Sequence, residues 1–300
     1  GSVSGLKGLV HGGNRMSFKH LGLFYALVWC FGCSGPSVEP LDLPEGCNPL
    51  LAGVDCLLPY PSNVFLVDDA STPSGKRVEL SVVAKPLTSH GVSADMNEWM
   101  AADGFSMTPP IVAILGSQVR ETELPGIFDD PEKTLNSLSP TLLVEAETGT
   151  LIPHFTDLDP RATDSFEQAL IVRPIVGLDP ETRYIVVMQG LRGEDGLLVS
   201  APEGFRRIRD AGVGRDPVLS PLALRYEREI FPVLQSLGVV RKGIQLAWDF
   251  TTASRASITD DILRARELVL EALEATPPTV EILGYEDEDE GQAWRTVSGI

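Results

Sequence analysis

The sequence predicts a mainly β fold with added helices, in which a β-sandwich is followed by a helix-strand-helix segment. Residues 168–200 contain two short apolar runs rich in β-branched residues, at 169–172 and 184–188. Turn-forming residues separate these runs at 178–182 and follow them at 190–196. After residue 200 the apolar period changes from about two residues to about 3.6, which indicates the added helices.

Tyr184 begins the second apolar run directly after the Pro-containing turn. This is where a tyrosine corner places its ring in the core and its hydroxyl against backbone a few residues upstream. The spacing Leu178-x-Pro180-x-Thr182-x-Tyr184-x-Val186 resembles the corner of fibronectin type III and related immunoglobulin-like bacterial surface modules. The resemblance implies an immunoglobulin-like sandwich at 104–200 with Leu178, Pro180 and Tyr184 as its structural corner. An ordinary edge tyrosine in another β fold is the alternative.

The composition is that of a globular chain with a strongly acidic surface. Its 300 residues are 43% hydrophobic, enough for one large or two small domains with cores of their own. Its 42 acidic and 24 basic residues give a net charge of −18. Nucleic acid repels such a chain, so we exclude a nucleic-acid partner. The charge suits divalent cations, but colloidal solubility explains it equally well.

The first part of the chain resembles an export signal. In the predicted leader, residues 1–33, Lys19 precedes an apolar stretch at 21–31 and Cys33 follows it. As a helix this stretch rises about 16 Å, too short for a hydrocarbon core of roughly 30 Å. The arrangement is similar to a bacterial lipoprotein signal, which implies lipid attachment at Cys33 and a membrane partner through that anchor. Ser34 then implies the outer membrane or cell surface, with simple secretion or a buried helix as alternatives.

Two cysteines follow a Pro-containing tether at 34–46. Cys47 and Cys56 are separated by eight residues, and no histidine stands near them to complete a zinc site. In an exported protein this pair predicts a disulfide, and two unrelated buried thiols are the alternative.

Further elements are expected both in the β-rich domain, 47–200, and in the α+β segment, 201–300. Because strand 243–250 alternates apolar and polar residues, we expect one of its faces in the core. The acids of 285–290 are interpreted as a solvated loop. Helix 259–275 is expected to bury Ile262, Ala265, Val269 and Leu273. In chain order the expected elements are strand 111–115, a hairpin of strands 141–146 and 151–155, helix 205–210, helix 220–237 kinked at Pro232, strand 243–250, helix 259–275, and strands 280–283 and 294–300.

Motifs in the first third of the chain resemble an exported hydrolase family. They are Cys56-Leu-Leu-Pro-Tyr-Pro-Ser-Asn-x-Phe65, Thr72-Pro-Ser-Gly-Lys-Arg-Val78 and Asp103-Gly-Phe-Ser106. In this order they are similar to the N-terminal region of bacterial extracellular lipases of the virulence-factor type and of related exported α/β-hydrolase proteins. The resemblance covers 47–253, and its motifs are turns and strand starts rather than catalytic residues. It implies a hydrolase domain that begins near Gly299 and is the partner of this region.

The residues themselves display no catalytic set. No Gly-x-Ser-x-Gly turn occurs, and His90 and His154, the histidines after the leader, both precede the strand-helix region where a nucleophile would stand. No phosphate loop, dinucleotide fingerprint or histidine-carboxylate cluster occurs, so no cofactor is expected. Three carboxylates at 157–164 fall short of the roughly six to eight oxygens that Ca²⁺ takes, and we favour a solvated loop there.

The sequence therefore predicts a non-catalytic N-terminal scaffold region of an exported, lipid-anchored lipase-like or esterase-like protein. The alternative is a stand-alone surface lipoprotein that binds a protein or a glycan through its immunoglobulin-like module. A third hypothesis is an enzyme complete within these 300 residues.

Overall fold

The computed structural model describes residues 38–52, 54–85, 87–92, 102–287 and 295–299. The predicted leader, with Cys33, and the first residues of the tether lie outside these ranges. The described chain is mainly β, as the sequence predicts, with strands in several antiparallel sheets. Its elements are β1 (Leu66–Asp68), β2 (Lys76–Val78), β3 (Ile111–Ala113), β4 (Thr141–Glu145), β5 (His154–Leu158), β6 (Leu170–Pro174), β7 (Arg183–Gln189), α1 (Glu203–Arg209), α2 (Leu219–Glu229), α3 (Phe231–Ser236), β8 (Ile244–Thr251), α4 (Arg255–Ala275), β9 (Ile282–Asp287) and β10 (Arg295–Gly299).

The central sheet has the antiparallel order β4-β7-β8, and it is covered on both faces. Every residue of β8 except Thr251 is buried, including those that point to opposite sides of the strand. The added helices α1 and α2 pack against β8, and Tyr226 of α2 donates a hydrogen bond to the Ala247 carbonyl at 2.7 Å. The expected core packing of one face, which carries Ile244, Leu246, Trp248 and Phe250, is therefore confirmed, and the helices cover the other face as well.

A second sheet has the antiparallel order β3-β6-β5, and its buried residues share one hydrophobic core with the central sheet. The predicted hairpin across 147–150 is confirmed only at its closed end, where Val144 bridges Leu151 and the Ile152 amide donates to the Leu143 carbonyl at 2.8 Å. Beyond that point β4 pairs with β7 and β5 pairs with β6, because Leu151 lies before the start of β5. The residues between β4 and β5 carry the chain from one sheet to the other.

The segment after residue 200 completes the central sheet. Its strand β8 pairs with β7 along the whole strand, with Phe250 opposite Tyr184 and Trp248 opposite Val186. The central sheet therefore extends across residue 200, where the domain boundary is expected. The predicted break at Pro232 is confirmed, because α2 ends at Glu229 and α3 begins with the proline in its first turn.

A disulfide joins Cys47 to Cys56, the pair that the sequence predicts, with Cα atoms 4.5 Å apart. The loop that it closes contains Leu50 and Leu51, which are both buried. The same loop contacts α1 so closely that a β-carbon at Gly204 would overlap the carbonyl of Pro49. The loop is therefore part of the core rather than an extension of the tether.

Tyr184 stands at the corner where the chain leaves the second sheet and enters the central one. Its ring is 1% exposed and stacks on Phe250 with the ring centroids 5.8 Å apart. Its hydroxyl accepts a hydrogen bond from the Asp179 amide at 2.9 Å. Burial raises the pKa of Tyr184, so the hydroxyl is protonated at neutral pH. Leu178 is buried beside it, and Pro180 lies in the turn that follows.

We predict that Tyr184→Phe lowers the free energy of unfolding by about 1 kcal/mol, because the Asp179 amide loses its acceptor while the ring keeps its packing. Urea unfolding followed by tryptophan fluorescence measures the change. Tyr285→Phe is the matched control, since Tyr285 is 62% exposed and should leave stability unchanged. Identical midpoints for the wild type and Tyr184→Phe would contradict a structural role for the hydroxyl.

Candidate functional site: an exposed arm and the charged cleft at its root

Neither histidine is arranged for catalysis. His154 lies in β5 and is 1% exposed, with Nε2 2.9 Å from Thr141 Oγ1 and Nδ1 2.9 Å from the Ile152 carbonyl. Burial lowers the pKa of His154, so the ring is neutral at neutral pH and both of its nitrogens are engaged in the core. His90 lies in an exposed turn at 88–91. The hydrogen bonds of the described residues contain no Ser-His-carboxylate arrangement.

The acidic segment 157–164 is a strand end and a turn in which arginines engage two of the three carboxylates, while Asp164 accepts a hydrogen bond from the Phe166 amide at 2.9 Å. Asp157 belongs to β5, not to a loop as expected, and it accepts a hydrogen bond from Arg173 at 2.6 Å. Asp159 accepts from Arg161 at 3.2 Å. Within the described ranges, no group of three or more His, Cys, Asp or Glu residues is arranged to hold a metal ion. The same part of the chain contains no helix that is both long and apolar enough to cross a membrane.

α4 is the most exposed helix of the described chain, and none of its 21 residues is buried. It begins one turn earlier than the expected start at Thr259, because the Ser254 hydroxyl accepts a hydrogen bond from the Ser257 amide at 3.0 Å and caps the helix. From Asp260 to Asp287 every residue except Gly284 is exposed. The prediction that Ile262, Ala265, Val269 and Leu273 are buried is therefore wrong.

Several apolar side chains of α4 lie in one line along the helix, while Leu263, Leu268 and Leu270 lie outside that line. Successive helical residues are rotated by about 100°, so positions that alternate four and three apart fall in one line. Ile262 is 68% exposed and Val269 is 56% exposed, which is unusual for side chains so placed. We call this line the apolar stripe, and it consists of Ile258, Ile262, Ala265, Val269, Ala272 and Leu273.

After α4 the chain forms an exposed hairpin. β9 and β10 pair antiparallel with Tyr285 opposite Val297, and Ile282 and Tyr285 are 66% and 62% exposed. The strand is longer than expected, because Glu286 and Asp287 of the acidic run belong to β9 rather than to a loop, while 288–290 lie outside the described residues. A two-stranded sheet is marginally stable by itself, so we expect this hairpin to pack against a further strand or an apolar surface. We refer to α4, β9 and β10 together as the arm.

The arm leaves the body at a root that consists of residues 103–105 and 252–254. Phe105 donates a backbone hydrogen bond to the Thr251 carbonyl at 2.9 Å and accepts one from the Ala253 amide at 2.7 Å. Gly104 lies so close to Ala253 that an added β-carbon would come within 2.6 Å of its backbone. A side chain at position 104 would therefore push the two backbone segments apart.

Asp103 fixes the first turn of α4. It is 2% exposed, and its two carboxylate oxygens accept hydrogen bonds from the Ser254 amide at 2.9 Å and the Ser74 amide at 3.1 Å. Burial opposes its ionisation, but these hydrogen bonds outweigh burial and hold the pKa of Asp103 below its ordinary value. The carboxylate thus also lies at the positive end of the helix dipole. The Asp103-Gly-Phe-Ser106 motif is the root of the arm.

We predict that Asp103→Asn lowers the free energy of unfolding by about 1.5–3 kcal/mol at neutral pH, the range for hydrogen bonds to a charged group. Because the folded pKa of Asp103 lies below the unfolded value of about 3.9, the wild-type advantage is complete above that value. It is lost as the pH falls through the folded pKa. Urea unfolding of both proteins across acidic pH measures the difference, and an advantage that did not shrink on acidification would contradict the role of the charge.

A charged cleft of about 490 Å³ lies beside the root, and Asp103 and Thr251 belong to its lining. Next to it Asp249 of β8 is 1% exposed and accepts hydrogen bonds from both terminal nitrogens of Arg225, at 2.6 and 2.7 Å. Arg183 and Asn63 donate to the same carboxylate at 3.3 and 3.1 Å. Burial opposes the charge of Arg225, but the Asp249 carboxylate outweighs it and raises the Arg225 pKa.

The lining of the cleft mixes charges of both signs. Lys76, Arg183 and Arg225 are accompanied by Glu181 and Glu229. A mixture of charges of both signs is typical of an ion-pair network that stabilises the fold. The lining contains no nucleophile beside a general base. Sequence reasoning overlooked Asp249. The available signal was a carboxylate in the middle of a strand whose other residues are nearly all apolar.

We predict that Asp249→Ala lowers the free energy of unfolding by about 3–5 kcal/mol, because it leaves the Arg225 charge partly buried without its carboxylate. Asp249→Leu combined with Arg225→Met should cost clearly less, since no charge is then left behind. Asp68→Ala, which breaks the exposed pair with Lys76, is the control and should not change stability. Urea unfolding measures all three, and equal losses for the single and double variants would contradict the account.

Comparison with protein-family models, with curated proteins and with solved structures finds no match to this chain. The described part of the chain forms an exposed apolar arm with a fixed root, and it contains no assembled reaction centre.

Proposed function

We propose that this chain is a non-catalytic scaffold that holds a lipase-like or esterase-like hydrolase domain at the end of its arm. The observation that carries the proposal is the arm itself: an exposed helix of 21 residues, roughly 31 Å long, that begins at a hydrogen-bonded root and leads to an exposed hairpin. A rigid connection to a second domain explains why a helix should leave the body with no buried side chain. The family resemblance is what makes the partner a hydrolase.

The hairpin is the proposed contact with the hydrolase domain. Its strands expose Ile282, Tyr285 and Val297, and two strands need a further strand or an apolar face to become stable. The described body supplies neither, because the hairpin residues remain exposed. Docking of a domain there would bury these side chains.

We infer that the two main sheets form an immunoglobulin-like sandwich and that the protein is exported and lipid-anchored at Cys33. The Tyr184 hydroxyl bonded to the Asp179 amide supports the sandwich, because it reproduces the tyrosine corner of such modules. The Cys47–Cys56 disulfide supports export, because disulfides persist in oxidising compartments. In this arrangement the anchor, the tether and the body keep the hydrolase domain near the membrane.

Hydrolysis of p-nitrophenyl esters tests the proposal, with this chain compared against the product of the complete reading frame. We expect turnover from the complete product and none from this chain. Ile282→Asp in the complete product should lower kcat/KM about tenfold or more, because a domain that no longer docks is mispositioned. Val240→Asp is the matched control, since Val240 is 71% exposed on the body, away from the arm.

Two results would overturn the proposal. Turnover by this chain that a single serine substitution abolishes would make it an enzyme complete in itself. Absence of turnover from the complete product would favour the stand-alone binding lipoprotein. Equal kcat/KM for Ile282→Asp and Val240→Asp would move the docking surface away from the hairpin.

A further inference from the structure

The apolar stripe of α4 has the geometry of a helix-helix interface. From Ile258 to Ala272 its residues are separated by four, three, four and three positions, which is the spacing of the core positions of a coiled coil. Such a line is what one helix presents to a single neighbouring helix, and the exposed Leu263, Leu268 and Leu270 lie outside it. No other element of the described chain covers it, because none of its side chains is buried.

The distribution of small residues favours a copy of the same helix as the neighbour. Ala265 is the central residue of Arg255–Ala275 and lies on the stripe. A twofold axis at the middle of two antiparallel helices would bring the two copies of Ala265 closest together, where a small side chain allows close approach. The larger Ile258, Ile262 and Val269 would then pack on both sides of that point.

Charge and dipole favour an antiparallel pair. Glu267, Glu271 and Glu274 occupy the last turns of α4, and no cation follows Arg266 in the helix. A parallel pair would place these acidic ends and the negative ends of two helix dipoles side by side. An antiparallel pair separates them, and it places the two bodies at opposite ends of the paired helices.

We propose that α4 pairs with α4 of a second copy of this chain, antiparallel and along the apolar stripe. The pairing accounts for an apolar line that is exposed in the single chain and whose centre is an alanine. It goes beyond the proposed scaffold function, and it leaves the hairpins free to hold a hydrolase domain at each end.

Size-exclusion chromatography coupled to light scattering tests the pairing. The whole chain is measured in detergent, which covers the apolar residues 21–31. We expect twice the 32.4 kDa chain mass for the wild type. Ile262→Asp with Val269→Asp should return the mass to that of one chain. Leu263→Asp with Leu270→Asp is the matched control: these leucines have the same spacing and are also exposed, but lie about 100° further round the helix. The control should remain a dimer.

Spin labels test the orientation, with Cys30 and Cys33 replaced by serine and a single cysteine introduced as Glu274→Cys or Glu267→Cys. In an antiparallel pair centred on Ala265, labels at 274 are separated along the axis by about 27 Å and labels at 267 by about 6 Å. In a parallel pair both axial separations are near zero. We therefore expect the measured distance to be clearly longer for position 274.

A wild-type mass of one chain, or a dimer that survives Ile262→Asp with Val269→Asp, would overturn the proposal. Equal distances for the two label positions would overturn the antiparallel arrangement. The outcome is independent of ester hydrolysis, because neither measurement involves a hydrolase domain. A dimer without turnover in the complete product would refute the scaffold function alone, and a monomer with turnover would refute the pairing alone.

Discussion

The buried carboxylate of Asp249 is the interaction around which the body is arranged. It joins β8, which carries it, to α2 through Arg225, to β7 through Arg183, and to the turn before β1 through Asn63. A carboxylate can be buried so completely only where its charge is matched and its oxygens accept hydrogen bonds. The position of α2 over the central sheet is therefore as much an electrostatic requirement as a hydrophobic one.

The prediction of β8 shows where sequence periodicity reaches its limit. The alternation of Trp248 and Phe250 with Asp249 correctly indicates a strand, because strand residues point alternately to two faces. It does not reveal that the polar face is also covered, since a solvated carboxylate and one paired with Arg225 look the same in sequence. The partner lies 24 positions away, on a helix whose packing only the folded chain determines.

The same limit explains the other departures. Consecutive strands often pair, so the sequence predicts a full β4–β5 hairpin, whereas β4 pairs with the more distant β7 and β5 pairs with the next strand, β6. For α4, the spacing of the apolar residues predicts the helix and its apolar stripe. The same spacing does not reveal which surface, if any, covers the stripe. Of the candidate site, the sequence identified the Asp103 motif and the Tyr184 corner as structural, and it missed the cleft because its residues come from six separate segments.

Asp179 connects the Tyr184 corner to the root of the arm by hydrogen bonds. Its amide donates to the Tyr184 hydroxyl, and its carbonyl accepts from the Thr252 hydroxyl at 2.6 Å, so a single peptide segment holds both. Thr252 in turn accepts from the Thr182 amide at 3.0 Å, within the same turn. Because these hydrogen bonds tie the root to the turn before β7, the start of α4 is held by the body of the protein rather than by a flexible linker. A corner that stabilises the sheets is therefore also what holds the start of the exposed helix, and this is the property that a scaffold requires.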